Sequence, residues 1–308
     1  MERLGQPYES RLKRFLKYIE IQTKLTSVLP FLMTLAYLFA GSRHIEPLKT
    51  LIFFAGMLLF DLTATTINNY SDTKKNHQVL QFKRSTALLI TAVLLLLSVA
   101  FGIWLVTLTD IVVLALGALC FFFGIIYSYG PIPLSHGPYG EIFSGLFYGV
   151  LIPVILVYIN DAGSLMTFSL SVEQLSVKLQ IMPAIGLGLL SVAPFCLTAN
   201  IMLANNICDV EHDVRVNRYT LAFYLKDKAL YLFSALYYTA YLSVIALVVL
   251  GYLSPLSLLL LITLIPVQKN INVFYKKQDK AETFVVSVKN FIIFLLVHTL
   301  LVFIGGLF

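Results

Sequence analysis

From Leu25 to its C-terminus the chain is a succession of long apolar stretches, several of them near 20 residues, joined by polar connections. A helix needs about 20 apolar residues to cross the hydrocarbon core of a bilayer. Only elements that satisfy their own backbone hydrogen bonds persist there. The repeat therefore restricts the chain to a bundle of membrane-spanning helices. Composition agrees: 58% of residues are hydrophobic and 12% are charged, the latter about half of what a soluble domain carries. We expect an all-α polytopic membrane protein, a single domain over residues 1–308. Nine transmembrane helices are expected, at roughly 25–41, 49–70, 86–108, 110–130, 141–160, 181–204, 228–250, 253–267 and 289–307.

Residues 1–24 are polar and basic, and no short apolar core with a cleavage site precedes the first span. They read as a cytoplasmic segment whose later half lies at the interface. Cys120, Cys196 and Cys208 show no metal spacing and read as free thiols. The net charge of +6 invites a nucleic-acid reading, but its distribution argues for membrane topology instead. With the N-terminus in the cytoplasm, six basic residues of segment 1–24 fall inside, with Lys74, Lys75, Lys83 and Arg84 of the second loop. Arg215, Arg218, Lys226 and Lys228 of the sixth loop join them, as do Lys269, Lys276, Lys277, Lys280 and Lys289 of the eighth. Only Arg43, Lys49 and Lys178 fall outside. This bias is what the positive-inside rule requires. It predicts a multi-pass plasma-membrane protein with its C-terminus outside and no nucleic-acid partner.

One short pattern occurs twice. Asn68, Asn69 and Asp72 share the spacing N-N-x-x-D with Asn205, Asn206 and Asp209, and each copy sits at the cytoplasmic end of an apolar helix. Matched motifs in two halves are common in membrane folds. Asp209 and Asp213 are four apart, so a helix presents both carboxylates on one face. Asp72 and Asn76 repeat the spacing with an amide in second place. Carboxylate and amide oxygens are hard ligands suited to magnesium, which a few carboxylates hold together with substrate phosphates. Asn68, Asp72, Asn205, Asp209 and Asp213 are the expected metal ligands. Lys75, Arg218, Arg215 and Lys24 are the expected cations for a phosphate; each also serves topology or lipid headgroups.

Asp61 lies within the second span, where an acid is a functional candidate by default. It precedes Asn68 by seven residues and Asp72 by eleven, on about the same helix face. Its other reading is a structural hydrogen bond to a neighbouring helix. The 127–141 loop is rich in Pro and Gly and reads as a fixed turn, with tyrosines and Glu141 that can border a pocket.

At these residues the chain resembles the UbiA superfamily of intramembrane aromatic prenyltransferases, over almost its whole length. It looks most like the MenA branch, the 1,4-dihydroxy-2-naphthoate polyprenyltransferases of menaquinone synthesis. The similarity is most specific from Asn205 to Asp213 and on through Arg218, Thr220, Leu221 and Ala222. The 127–141 loop and the stretch 21–30 also resemble that branch. Asn69 and Asn76 stand where that family's first motif commonly has further acids. The resemblance implies nine helices around a cavity open to the cytoplasm. It also implies Mg2+-dependent transfer of a polyprenyl chain from polyprenyl diphosphate to 1,4-dihydroxy-2-naphthoate, giving a demethylmenaquinol. Asp72, Asp209, Asp213 and Asp61 are then the catalytic candidates, Asp61 for ring placement or proton acceptance. Another aromatic acceptor (4-hydroxybenzoate or haem) is an alternative within the superfamily. An ion-coupled transporter is the alternative outside it.

Overall fold

The computed structural model describes residues 10–75, 79–128, 134–170 and 174–308; the side chains of Asp72, Lys74 and Lys75 lie outside the described set. Helix α1 (Arg11–Tyr18) begins at Ser10, whose hydroxyl accepts the Lys13 amide at 3.2 Å. It buries Tyr18, whose hydroxyl donates to the carbonyls of Thr66 at 3.2 Å and Ala87 at 3.3 Å. The N-terminal segment is thereby fastened across the ends of the next helices. A 3-10 turn (Ile21–Lys24) leads into α2 (Leu25–Ala40), followed by α3 (Pro47–Lys75), α4 (Arg84–Thr107) and α5 (Ile111–Ser128). A short turn (Leu134–His136) precedes a rod made of α6 (Gly140–Gly145), a π-helical stretch (Leu146–Leu151) and α7 (Ile152–Leu165), the last kinked at Asp161, whose backbone is non-helical. After an antiparallel hairpin, β1 (Met166–Leu170) and β2 (Leu175–Leu179), come α8 (Ile181–Arg215), α9 (Leu221–Leu225) and α10 (Lys228–Val249). A 3-10 stretch (Pro255–Thr263) runs into α11 (Leu264–Lys276), and α12 (Val285–Gly305) ends the bundle.

The chain is a polytopic all-α membrane protein, with the hairpin as its small β addition in the loop after the fifth expected span. Among the described residues, eight helices are long and apolar enough to cross a membrane, and one shorter apolar helix, Ile111–Tyr127, stands where the span 110–130 was expected. Three helices outrun their apolar stretches, the first being α3, which continues past its expected span 49–70 to Lys75. The expected span 181–204 is part of α8, whose 35 residues measure roughly 52 Å, well beyond a core of about 30 Å. Hydropathy falls where Asn205 begins, but the hydrogen-bond ladder continues, so the second acidic motif is carried on rigid helix. Likewise the span expected at 253–267 continues to Lys276.

In the bundle α3 packs along α4, α8 along α10 and α12 along α2. The rod meets α8 through Gly145 and Gly149, where small residues let two backbones approach. A Cβ on Gly149 would lie 2.2 Å from the backbone nitrogen of Phe195. The contact falls beside Pro194, whose missing N–H already interrupts the ladder of α8.

Candidate active site

Between α3, α4, α5 and the rod lies a cavity of about 520 Å³. One face of α3 walls it through Phe53, Met57, Phe60, Asp61, Ala64 and Asn68, the spacing of three and four that a helix presents on one side. From Phe53 to Asn68 that wall is roughly 23 Å long. It is apolar along most of its length and polar toward Asn68, where Asp61, Thr65, Tyr127 and Tyr148 also face the space. Phe60 and Phe121, also lining it, pack with ring centroids 4.3 Å apart.

Asp61 is 6% exposed and its partner Lys24 4%. The Lys24 ammonium donates to Asp61 Oδ1 at 2.9 Å, to the Asp61 carbonyl at 3.1 Å and to the Thr65 hydroxyl. Ser27 donates to Asp61 Oδ2 at 2.7 Å, and the Tyr148 hydroxyl donates to Oδ1 at 2.9 Å. Tyr148 sits in the π-helical stretch, a geometry frequent at functional sites. Lys24, expected among the phosphate cations, is thus turned inward to Asp61. The reason is electrostatic: a carboxylate at this depth needs a counter-charge, and Lys24 is the one that reaches it.

The second acidic motif projects from the far end of α8 in two clusters. In the first, Lys280 from the loop before α12 donates to Asp209 Oδ2 at 2.6 Å and to Asn205 Oδ1. In the second, Arg218 stands 3.5 Å from Asp213 and donates to the Ser135 carbonyl at 3.0 Å and to Asn206 Oδ1 at 3.5 Å. Asn206 in turn donates to Glu141 at 2.9 Å. Glu141 and Asp213 are both 3% exposed. Each keeps one buried carboxylate oxygen without a hydrogen-bond partner. Arg215 is exposed on the last turn of α8. Asn68 lines the cavity, and Asp72 follows it one turn later on α3, with its side chain and that of Lys75 outside the described set.

The two N-N-x-x-D copies divide their work alike. The first Asn of each pair faces the site: Asn68 the cavity, Asn205 the Lys280 ammonium. The second anchors its helix to a neighbouring segment. Asn69 donates to the Tyr18 carbonyl at 2.8 Å, as Asn206 does to Glu141.

Among the described residues, no group of three or more His, Cys, Asp or Glu side chains forms a closed metal cage. The donors present nevertheless fit a hard divalent cation. Asn205 and Asp209 already hold a positive charge, that of Lys280, and Asp213 has an open buried oxygen. So few protein charges suit an ion that completes its shell with substrate oxygens and water. Sequence reasoning missed Lys280, which counted only toward topology. Its single signal is local: Asp279 and Thr283 bracket it at helix-capping spacing.

The sequence model of the UbiA prenyltransferase family matches residues 27–296. The chain is similar to the 1,4-dihydroxy-2-naphthoate octaprenyltransferase of Bacillus subtilis (strain 168), 30% identical over 129 residues. That match spans 42% of this chain and 35% of the relative's length. The apo structure of a UbiA homolog from Aeropyrum pernix K1 superposes with a TM-score of 0.65 at 14% identity, over 92% of this chain and 97% of that one. A UbiA homolog from Archaeoglobus fulgidus bound to GPP and Mg2+ superposes with a TM-score of 0.58 at 15% identity, over 94% and 99%.

Proposed function

The chain belongs to the UbiA prenyltransferase family, and from that premise we propose that it transfers a polyprenyl chain from polyprenyl diphosphate to 1,4-dihydroxy-2-naphthoate, with magnesium at the acidic motifs. The observation that carries the reading is the cavity: an apolar wall roughly 23 Å long ending in Asp61, Thr65 and Asn68, on the helix that continues to Asp72. Such a space suits a lipid tail whose diphosphate emerges at the acidic end. The naphthoate acceptor is supported by the partial likeness to the Bacillus subtilis enzyme. Magnesium is supported by the open oxygens of the second motif and by the GPP- and Mg2+-bound homolog.

When bound, magnesium would offset the negative charge that grows on the departing diphosphate. Arg218, half-buried beside Asp213, adds a fixed donor of the same sense. The prenyl C–O bond breaks with its electron pair going to diphosphate. The allylic cation is kept from water by the apolar walls, and aromatic faces such as Phe60 and Phe121 stabilise it. The ring carbon bearing the carboxylate bonds to the prenyl carbon, and the carboxylate leaves as CO2, its bonding electrons returning to the ring. This balance closes without a base. Asp61, paired with Lys24 at 2.9 Å, then serves to accept a hydrogen bond from a ring hydroxyl and orient the acceptor.

The test is incubation of the detergent-purified protein with a polyprenyl diphosphate, Mg2+ and a panel of aromatic acids, products being read by mass spectrometry. The expected product from the naphthoate has gained the prenyl group and lost CO2. Chelation stops the reaction and Mg2+ restores it. Asp209→Ala and Asp213→Ala each cut turnover about 10²–10³-fold, as losing a transition-state charge partner does. Preference for 4-hydroxybenzoate or haem would overturn the acceptor. Failure to release diphosphate from the polyprenyl donor with any acceptor at saturating Mg2+ would overturn the enzyme reading itself.

A further inference from the structure

We infer that Lys280 is an exchanging cation of the diphosphate site: it rests on Asp209 and Asn205 while the site is empty, and moves to a diphosphate oxygen when metal and diphosphate arrive. The inference rests on the prenyl diphosphate reading above and adds a residue to it.

The loop that carries Lys280 is built, not slack. Asp279 Oδ1 accepts the backbone N–H groups of Glu282 and Ala281 at 2.9 Å each, which holds its carboxyl below the usual range. The Asp279 amide donates to the Thr283 hydroxyl at 2.8 Å, and that hydroxyl donates to the Lys277 carbonyl at 2.9 Å. Lys277 itself is bonded to Glu282 at 2.7 Å. The backbone under Lys280 is therefore fixed, and only its four-carbon stem is free to swing. Its ammonium stands 5.1 Å from the Phe284 ring centroid and contacts two oxygens of the second motif. Those are oxygens a divalent cation needs. An ammonium and a divalent ion cannot both rest on one carboxylate without like-charge repulsion, so one displaces the other. Displacement is cheap here, because the Lys280 side chain is 47% exposed and that of Asp209 26%, and exposed pairs are weak. A displaced ammonium beside a metal-bound diphosphate finds the strongest acceptors available to a mobile point charge.

The arrangement makes metal and diphosphate bind together. Without diphosphate, Lys280 competes with the metal; with it, Lys280 adds a bond. Calorimetry on the full chain in detergent, titrating Mg2+ alone and then a non-hydrolysable prenyl methylenediphosphonate with Mg2+, reads both effects. Lys280→Met is expected to tighten Mg2+ alone about tenfold and weaken the diphosphonate about tenfold, the scale of one charge-assisted hydrogen bond. Lys280→Arg keeps diphosphonate binding near wild type, and Lys276→Met, which removes an exposed charge at the end of α11 without touching the loop's bonds, changes neither affinity. A Lys280→Met protein unchanged in both titrations, or shifted in the same direction in both, overturns the exchange. Wild-type protein that binds neither probe overturns instead the diphosphate reading on which the exchange rests.

Discussion

An ammonium and a carboxylate buried together in an apolar bundle each lose several kcal/mol of hydration, and their attraction restores it only in good geometry. Lys24 and Asp61 have that geometry, with Ser27 and Tyr148 occupying further acceptor positions on the carboxylate. Removing one partner strands the other, so Lys24→Met and Asp61→Leu should each lower stability by about 3–5 kcal/mol, read as thermal unfolding in detergent. The double variant should recover most of that loss, since an apolar pair needs no counter-charge. Under the proposed reading it should nevertheless turn over poorly, with the acceptor KM raised, because the group that would orient the ring is gone. A stable double variant with near-normal turnover would reduce the pair to a structural contact. Asp61 was legible in the sequence because an acid in an apolar span is conspicuous. Its partners were not: Lys24 precedes it by 37 residues and Tyr148 follows by 87, and sequence separation carries no sign of such pairings. Lys280 was hidden for another reason. A lysine in a basic loop satisfies the positive-inside rule whatever else it does.

At the scale of elements, the site depends on two helices that outlast their apolar stretches and on a rod that does not stay α-helical. The spans at 49–70 and 181–204 were legible as hydropathy. Their extension as rigid carriers of the acidic motifs was not, because polar residues end an apolar pattern without ending a helix. The π-helical stretch Leu146–Leu151 was illegible for a related reason: its apolar sequence suits an α-helix equally, and tertiary packing decides. That packing is the approach of Gly149 to Phe195. A Cβ at Gly149 would lie 2.2 Å from the Phe195 nitrogen and 2.3 Å from its Cα, so backbone, not a yielding side chain, blocks it. Gly149→Ala should push the rod away from α8, cost about 1–3 kcal/mol as overpacking does, and draw the adjacent Tyr148 off Asp61. Gly163→Ala is the matched control, since a Cβ there meets nothing within 4 Å. Equal melting temperatures for the two variants would contradict the close approach.

The whole molecule has two unlike ends. At one, α1, the 134–141 turn, the end of α8 and the 277–284 loop converge through Lys280–Asp209, Arg218–Ser135 and Asn69–Tyr18. At the other, the hairpin stands near Arg43–Asp161, 3.9 Å apart, and Glu46 donates its amide to Asn160 at 2.7 Å. The basic residues of loops two, six and eight belong with the first end; Arg43, Lys49 and Lys178 belong with the second. Helix number was legible to this extent: among the described residues, eight helices long and apolar enough to cross a membrane and one shorter apolar helix stand at the nine expected places. Which end faces the cytoplasm is an expectation that rests on the charge bias alone. Impermeant maleimide on intact cells tests it, in a background where Cys120, Cys196 and Cys208 are replaced. Thr167→Cys, exposed on β1, should label from outside. Glu211→Cys, exposed between Asp209 and Asp213, should label only after the membrane is opened. Labelling of Glu211→Cys in intact cells would invert the molecule. It would put the acidic motifs on the side facing away from the cytoplasm, against the bias of 22 basic residues, and the diphosphate would have to be supplied there.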